Sequence, residues 1–476
     1  MALNSLALTR VRHMSRATDT ELTDRHMDVL EYAWRFYRNH SIGPLYQNIQ
    51  RNTGVTKHEL ARIFPNGLNS VFTWVGIPIQ GKESGCKAMV PLDVADLKEV
   101  YLDHNATTPL RREVAAAMVN FIQDPRSFGN ASSAYDVGSI AYDVIDRARR
   151  KLAACLDATP GEIYFVGSGT EANNLAIRGV ADHHPRGTGH IVTTCVEHPS
   201  VLNVCRQLQA QGREVTYLPV RPDGTLVADT VRDAIRPDTI AVSIMAANNE
   251  IGTLYPVAEI GEICRERSVV LAVDAIQAFG KIPLRPKDTG ISILSVSGHK
   301  IGAPKGIGAV FVDGSTNLVP QVHGGGQESG LRPGTENVLG IHALGIASEL
   351  AVAEMQEQNR HLLEIRAHFL DKLDQAAPDA VINGTLKHRL ANNLSVGFPG
   401  VDSGSILLSL NQIGVFVSAG SACSAGLDKQ SHVLDAIGVE PSKYGTVRFS
   451  FGKATTTDDV DYLFDHLPAI LAGLRS

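Results

Sequence analysis

Residues 269–300, VVLAVDAIQAFGKIPLRPKDTGISILSVSGHK, contain two apolar runs that each lead into polar residues. The first run ends at Asp274, and the second is followed closely by Lys300. Similar apolar runs lie at residues 162–167, 190–196 and 239–247, with segments of helical pattern between them. Near-continuous apolar strands separated by helices are typical of a parallel sheet covered on both faces. The pattern therefore predicts an α/β fold with a mostly parallel central sheet.

Composition and charge narrow the class of protein. The chain has 476 residues, 43% hydrophobic and 20% charged, which is ordinary for a globular protein of two or three domains. A net charge of −6 argues against nucleic acid as the main ligand, and no apolar stretch is long enough to span a membrane. The six cysteines show no metal-binding spacing, and no secretory signal is visible, so we expect a cytoplasmic protein.

The texture of the sequence changes twice along the chain. Residues 1–20 are expected to be a disordered tail, although residues 1–18, with three arginines and no acid, faintly resemble a transit peptide. Residues 21–92 have a helical pattern and are expected to form a small helical domain. From 98 to 476 we expect a large α/β domain over about 112–350. A small α+β subdomain is expected over about 350–476.

The polar residues at the predicted strand ends suggest a ligand site, since ligands of open α/β sheets bind beyond the carboxyl ends of the strands. Gly169 and Thr170 follow one strand and begin a helix, where backbone N–H groups can hold a phosphate. Asp274 and Lys300 would suit a cofactor that forms a Schiff base with lysine and needs a carboxylate on its ring nitrogen. A buried Lys–Asp salt bridge explains the two residues equally well.

A family resemblance favours the cofactor. The region from 101 to 463 resembles the NifS/IscS type of cysteine desulfurase, in the fold type I superfamily of pyridoxal-phosphate (PLP) enzymes. The motifs that carry the resemblance are YLDHNATTPL (101–110), GSGTEANNLAIRG (167–179), EHPSV (197–201), NNEIGT (248–253), VDAIQA (273–278), SGHKIGAPKGIGA (297–309), HGGGQESGLRPGT (323–335), SAGSACSAG (418–426) and TVRFSFGKATTTDDVDYL (446–463).

The resemblance implies a role for each matching residue. Lys300 would hold PLP as a Schiff base, Asp274 would pair with the ring nitrogen, Gln277 would bond the ring hydroxyl, and His198 would stack on the ring. The phosphate would be held by Gly169, Thr170, Ser297 and His299, with Thr335 completing the site of a partner subunit. Asn249, which also lies beside the cofactor, and Arg448 would hold the carboxylate of the substrate, L-cysteine. A homodimer is therefore expected.

Cys423 is the expected nucleophile. Its surroundings are small, polar and rich in glycine, which predicts an exposed loop, whereas Cys155, Cys195, Cys205 and Cys264 lie in apolar contexts. The resemblance implies that Lys300 moves the α-proton of cysteine, that the Cys423 thiolate takes its sulfur, and that His198 carries a proton. The alternatives are a selenocysteine lyase and an aminotransferase-like enzyme, although an aminotransferase needs no loop cysteine.

Residues 21–92 resemble the DsrC/TusE family of small sulfur carriers, through LTDRHMDVLEYAWRFYRNHSIGP (22–44), the IFPNG turn and GIPIQGKESGC (76–86). Cys86 matches the cysteine on the carrier arm, and the second cysteine of DsrC-type members has no counterpart. Cys86 is expected to receive sulfur from Cys423 and pass it to a relay carrier or an iron–sulfur scaffold. The alternatives are a docking module with an inert Cys86 and a helix-turn-helix nucleic-acid module, which the balanced charge disfavours.

Overall fold

The structure is a computed structural model that describes residues 3, 5–18, 20–40, 44, 46–64, 68–77, 98–420 and 431–475. Cys86 and Cys423 lie outside these residues. The described chain forms an N-terminal helical region, a large α/β domain and a C-terminal subdomain. Each of the three has apolar side chains buried in a core of its own.

The N-terminal region consists of short amphipathic helices around an aromatic core. Trp74 is 1% exposed and packs edge-on against Phe64, so this region has a true hydrophobic centre. Thr56 caps the fourth helix by accepting a hydrogen bond from the backbone N–H of Glu59. The helices are α1 (Ser5–Ala17), α2 (Asp24–His40), α3 (Tyr46–Thr53), α4 (Lys57–Ile63) and α5 (Leu68–Val75).

Helix α1 corrects the expectation of a disordered tail over residues 1–20. Leu3, Ala7 and Val11 are at most 4% exposed, because they repeat at helical spacing and pack into the N-terminal core. The arginines of this segment mask, in the sequence, the apolar stripe that lies between them. An apolar stripe of this kind is stabilised by burial against neighbouring helices.

After residue 98 the chain forms a short strand, β1 (Val100–Tyr101), and then enters the large domain. The strands of this domain are β2 (Ile163–Val166), β3 (His190–Thr194), β4 (Val215–Leu218), β5 (Thr239–Met245), β6 (Val270–Asp274), β7 (Ile293–Ser297) and β8 (Gly308–Val312). They form one seven-stranded sheet in the order β2-β8-β7-β6-β5-β3-β4. Strands β3 to β7 run parallel to one another, and β8 runs antiparallel to β7 and β2.

Helices cover both faces of this sheet. Along β6, Ala272 packs into the cluster formed with α8, while Leu271 and Val273 pack into the core on the other face. This alternation explains why the strand is apolar throughout. The helices are α6 (Arg112–Gln123), α7 (Asp136–Cys155), α8 (Gly169–Ala181), α9 (Pro199–Ala210), α10 (Ala228–Ala234), α11 (Val257–Glu266) and α12 (Val338–Ala353).

The C-terminal subdomain is an α+β unit with a phenylalanine core. Phe369 contacts Phe449, Phe451 and Phe464 at ring-centroid distances of 4.8–5.6 Å. Its elements are α13 (Met355–Ala376), β9 (Val381–Ile382), β10 (Asn393–Pro399), α14 (Ser403–Gln412), β11 (Val415–Phe416), α15 (His432–Ala436), β12 (Tyr444–Ser450) and α16 (Thr457–Arg475). Strand β10 pairs antiparallel with β9 and β12, and β1 pairs with β11.

The predicted α/β fold with a mostly parallel sheet is confirmed, and each apolar run named above forms a strand. Within the part of the chain that the structure describes, no single helix is long and apolar enough to cross a membrane. Helices α12 and α13 reach that length and composition only as a pair bent by 67°.

Candidate active site

Asp274 ends strand β6 at the carboxyl edge of the sheet, with its side chain 7% exposed. Its Oδ2 accepts a hydrogen bond from Nδ2 of Asn173 on α8 at 2.7 Å, and its Oδ1 accepts from the backbone N–H of Ile276 at 3.0 Å. Both donors are neutral amides, so they aim the carboxylate without compensating its charge. A carboxylate held in this way suits a cationic group on a ligand.

Lys300 follows β7 in a short 3₁₀ turn, Gly298–Lys300, which brings its amine back over the sheet edge. Nζ of Lys300 donates to the backbone carbonyls of Asn105 at 2.6 Å and Ala106 at 2.8 Å. These carbonyls belong to the segment after β1, so a distant part of the chain fixes the position of the lysine. Lys300 lines the same cavity as Asp274, as a Schiff-base lysine would.

His198 caps helix α9 and is oriented by the residue two positions later. Its Nδ1 accepts from the backbone N–H of Ser200 at 3.1 Å and lies 2.8 Å from the hydroxyl of Ser200. In the neutral imidazole this arrangement assigns the proton to Nε2. Burial lowers the pKa of His198, and the positive charge of Lys300 lowers it further, against the opposing effect of Asp274. His198 therefore offers a neutral ring with one N–H.

The start of helix α8 forms a concave wall beside Lys300. Ser168 caps the helix, and the first N–H groups of any helix lack partners within it. A Cβ on Gly169 would lie 2.3 Å from Cδ1 of Ile276, so only glycine lets the helix approach so closely. Ser297 and His299 complete this wall, and burial together with nearby lysines lowers the pKa of His299 to about 4. The wall suits a phosphate dianion.

Arg448 also lines the cavity and is 2% exposed. Its guanidinium donates to Oδ1 of Asp103 at 2.6 Å and to the backbone carbonyl of Asn249 at 3.0 Å. Nε of Arg448 is buried without a hydrogen-bond partner among the described residues. A buried donor without a partner is costly, so a ligand carboxylate at this position would remove a penalty.

One cavity of about 190 Å³ brings most of the predicted site residues together. Gly169, Thr170, His198, Asn249, Asp274, Gln277, Ser297, His299, Lys300 and Arg448 all line it. Thr335 is exposed and does not line this cavity in its own chain. The predicted thiols Cys423 and Cys86 lie outside the described residues, so their placement stays a prediction.

The described residues on either side of the Cys423 segment lie close together beside the cavity. Ser418 pairs with Arg448, the arginine of the cavity wall, through two backbone hydrogen bonds. A Cβ on Gly420 would lie 2.8 Å from Oε2 of Glu250 and 3.6 Å from Cβ of Ser431. The hydroxyl of Ser431 donates to the same carboxylate oxygen at 2.5 Å. The described residues that flank positions 421–430 therefore meet at Glu250, next to Asn249.

The four described cysteines all have raised pKa values, unlike a reactive thiol. Cys205 and Cys264 are buried, and burial raises the pKa of each to about 12. Burial likewise raises the pKa of Cys155 to about 11 and that of Cys195 above its ordinary value. Thiols with raised pKa values remain protonated at neutral pH and are poor nucleophiles.

Several residues that organise the site were not found from the sequence. Asn173 joins Asp274 to Ser200, because its Nδ2 also donates to the Ser200 hydroxyl at 2.9 Å. Asn105 contributes the carbonyl that receives both Lys300 and Gln277. Lys281 bonds Gln277. The spacing of Lys281, four residues after Gln277, is the one sequence signal that could have indicated this contact.

The chemistry of this residue set fits PLP. Asp274 provides the carboxylate for a ring nitrogen, Lys300 the amine, and the start of α8 the phosphate wall, all on one cavity. The unpartnered Nε of Arg448 provides a donor for the carboxylate of an amino-acid substrate. The described residues contain no group of three or more potential metal ligands.

Comparison with known proteins agrees with this fit. The family model for class-V aminotransferases matches residues 100–463. "Cysteine desulfurase IscS" of Methanosarcina thermophila is 45% identical over 380 residues, covering 80% of this chain and 93% of that protein. The protein of the same name from Dictyoglomus turgidum is 43% identical, covering 80% of this chain and 96% of its own length.

Solved structures give the same result. A "NifS-like protein" superposes with a TM-score of 0.74 at 35% identity, covering 79% of this chain and all of that chain. The structure described as "SspA in complex with cysteine" superposes with a TM-score of 0.66 at 35% identity, covering 75% of this chain and all of its own.

Proposed function

The chain belongs to the class-V aminotransferase family and is a PLP-dependent cysteine desulfurase, and from this premise we propose the route of the sulfur. Cys423 takes the sulfur of free L-cysteine as a persulfide, L-alanine leaves, and Cys86 receives the sulfur before it passes to an acceptor protein. The observation that carries the first step is the attachment of the Cys423 segment to the wall that holds Arg448.

Different side chains of the cavity have different roles in this reaction. PLP supplies an electron sink that makes the α-proton of the substrate acidic. Arg448 and Asn249 hold the substrate carboxylate, and the amine of Lys300 moves the α-proton. Asp274 provides the negative charge that pairs with the ring nitrogen of PLP. Nε2 of His198 carries a proton near the departing sulfur.

The sulfur step balances without an added oxidant. The Cys423 thiolate attacks the sulfur of cysteine, so an S–S bond forms and the C–S bond of the substrate breaks. The electron pair of the broken bond stays with the carbon fragment, which gains protons and leaves as alanine. The net change converts cysteine and one thiol into alanine and one persulfide.

Chain length supports the reach of Cys423. Three peptide units separate it from Gly420, and a chain extends by at most ~3.6 Å per residue, so the two Cα atoms lie within about 11 Å of each other. Gly420 packs against Glu250, whose neighbour Asn249 lines the cavity. The thiol is thus tied to the site by covalent geometry.

Replacing Cys423→Ser tests the nucleophile. We expect alanine formation from cysteine to stop while the bound cofactor keeps its absorbance. Cys155→Ser, which removes one of the thiols with a raised pKa, is the matched control and should retain activity. Alanine formation at full rate by Cys423→Ser would contradict the proposal, and a keto acid as product would indicate an aminotransferase.

The relay to Cys86 is supported by the N-terminal region. This region resembles single-thiol carriers, and Nε2 of Gln412 donates to Oη of Tyr37 at 3.5 Å. Gln412 ends α14, eleven residues before Cys423, so α2 touches the part of the subdomain that leads to the Cys423 segment. Twelve peptide units join Cys86 to Lys98, a tether that can extend by roughly 40 Å.

Mass spectrometry after incubation with sulfur-labelled cysteine tests the relay. We expect label on Cys423 first and then on Cys86, and no label on Cys86 in the Cys423→Ser variant. An unmodified Cys86 beside a persulfidated Cys423 would contradict direct transfer and favour the docking module. Adding candidate carriers and iron–sulfur scaffolds in turn then identifies the acceptor, as the protein that gains label.

We also propose that the protein forms a homodimer. Thr335 is exposed three residues before α12, and α12 packs against α6 and α7. Large apolar side chains are exposed on and beside these two helices, with exposed fractions of 50–79%: Val119, Ile122, Phe128, Tyr135 and Tyr142. A second copy placed on this surface would cover them and could bring Thr335 to the phosphate wall of its neighbour.

A further inference from the structure

Lys281 contacts the candidate active site through Gln277, a residue that lines the cavity. Its Nζ donates to Oε1 of Gln277 at 2.9 Å, and Nε2 of Gln277 donates to the backbone carbonyl of Asn105 at 2.9 Å. The same carbonyl receives Nζ of Lys300 at 2.6 Å. The two lysines are therefore joined by one amide and one carbonyl.

These partners determine which end of the Gln277 amide faces which way. A lysine amine has only donors when charged, and a backbone carbonyl is only an acceptor. Oε1 must therefore face Lys281, and Nε2 must face Asn105. Since Gln277 lines the 190 Å³ cavity and is 5% exposed, the NH₂ end of its amide is the end on the Lys300 side.

Lys281 itself borders a second cavity, of about 480 Å³, which it shares with Lys300 and His104. Burial lowers the pKa of Lys281 to about 7, and the charges of Lys300 and Arg448 lower it further in the same direction. Both the ammonium and the neutral amine carry N–H donors, so the contact with Gln277 is kept in either state.

We propose that Lys281 is a positioning residue, which holds the Gln277 amide with its NH₂ group toward the ring oxygen of PLP. The inference rests on the cofactor assignment above and adds a residue outside the first layer of contacts. Nε2 has two hydrogens, and one is used by Asn105. The other can be donated to an ionised ring oxygen, which accepts hydrogen bonds only. Without Lys281, Oε1 would lose its donor, and the carbonyl of Asn105 alone would hold the amide in this orientation.

Three variants of the full chain test this role. Lys281→Met removes the donor, Lys281→Arg retains one, and Gln277→Leu removes the amide through which Lys281 acts. The second cavity leaves room for methionine or arginine, and the backbone carbonyl of Lys281, which accepts from Asn359 at 2.7 Å, is unaffected by either change. The readouts are the dissociation constant of PLP from the apoprotein and the visible absorbance band of the bound cofactor. Far-UV circular dichroism checks the fold.

We expect Lys281→Met to weaken PLP binding about tenfold, as the loss of one hydrogen bond predicts, and to shift the absorbance band. Lys281→Arg should restore both to within about twofold. In the Gln277→Leu background, Lys281→Met should change neither further. Unchanged binding and absorbance in Lys281→Met, or equal losses with and without Gln277, would overturn the role of Lys281. Failure of the unmodified chain to bind PLP would instead contradict the cofactor assignment.

Discussion

Asn173 on α8 donates its side-chain amide to Oδ2 of Asp274 at 2.7 Å, across the face of the sheet. The same NH₂ group donates to the hydroxyl of Ser200 at 2.9 Å, and Ser200 orients His198. The buried amide of Asn173, a residue that is 2% exposed, thus links the carboxylate of Asp274 to the imidazole of His198. This relationship leads to the first prediction.

Asn173→Ala should weaken PLP binding by about tenfold or more, because the buried carboxylate of Asp274 loses a donor. It should also lower the rate of alanine formation, because His198 loses its orientation through Ser200. Equilibrium titration of the apoprotein with PLP measures the first effect. Asn203→Ala, an exposed asparagine on α9, is the matched control and should bind as the unmodified chain does. Equal affinity for both variants would contradict the role of Asn173.

Arg448→Lys should raise the KM for cysteine by about tenfold to a hundredfold and change kcat less. Lysine keeps the charge but loses the planar pair of donors that matches a carboxylate. Steady-state kinetics of alanine formation separates the two constants. Arg206→Lys on α9, where the arginine is exposed and bonds Asn203, should leave both constants unchanged. An unchanged KM in Arg448→Lys would place the substrate carboxylate elsewhere.

Glu197 should make stability depend on pH. Burial raises its pKa from 4.5 to about 8, and Asp274 adds to this, against hydrogen bonds from Thr194 and Met245. The folded state therefore holds a proton that the unfolded state has lost, and the associated stability declines as pH rises from about 4.5 to about 8. Glu197→Gln keeps both acceptor contacts without an ionisable group.

The difference in Tm between Glu197→Gln and the unmodified holoenzyme should accordingly be small at pH 5 and grow toward pH 8. Thermal melts at several pH values measure it. A difference that stays constant across this range would show that Glu197 does not titrate within it.

The four described thiols should resist alkylation in the folded protein at pH 7. Cys155, Cys205 and Cys264 have pKa values raised to about 11–12, and alkylation requires the thiolate. Mass spectrometry after brief treatment with iodoacetamide checks this, and denatured protein, in which all six thiols react, is the control. Rapid labelling of Cys205 or Cys264 in folded protein would be the contrary result.

Phe128→Asp should reduce dimer formation, because a charge on a side chain 79% exposed in the single chain would lie in the proposed contact between copies. Light scattering coupled to gel filtration measures the mass. Leu386→Asp changes a side chain 45% exposed in the C-terminal subdomain and should leave the mass unchanged. An unaltered mass in both variants would remove this surface from the proposed dimer.

The sheet was predictable because buried parallel strands have an unusual, nearly continuous apolar sequence pattern, which appears in β5, β6 and β7. The residues at their ends were predictable for a related reason. Asp274 and Lys300 stand out because charged residues rarely follow a buried strand without a function. Their positions alone left a buried salt bridge between them equally possible, and the family resemblance favoured the cofactor.

The supporting residues were not predictable in this way. Asn173 is one of two adjacent asparagines on α8, and only packing decides that it, and not Asn174, faces Asp274. Asn105 acts through its backbone carbonyl, which carries no sequence signal. Helix α1 was missed because burial of its weak apolar stripe depends on four other helices. These features arise from tertiary packing.

Gly420 and Ser431 both contact Glu250, so the segment that contains Cys423 is attached at two fixed ends. The entropic cost of joining two fixed ends grows slowly with the length of the loop between them. Changes in length or composition between these ends that keep Cys423 should therefore disturb the cavity little. The binding of cysteine in the cavity and the delivery of sulfur from Cys423 could therefore be altered separately, by engineering or in evolution, as long as Cys423 itself is kept.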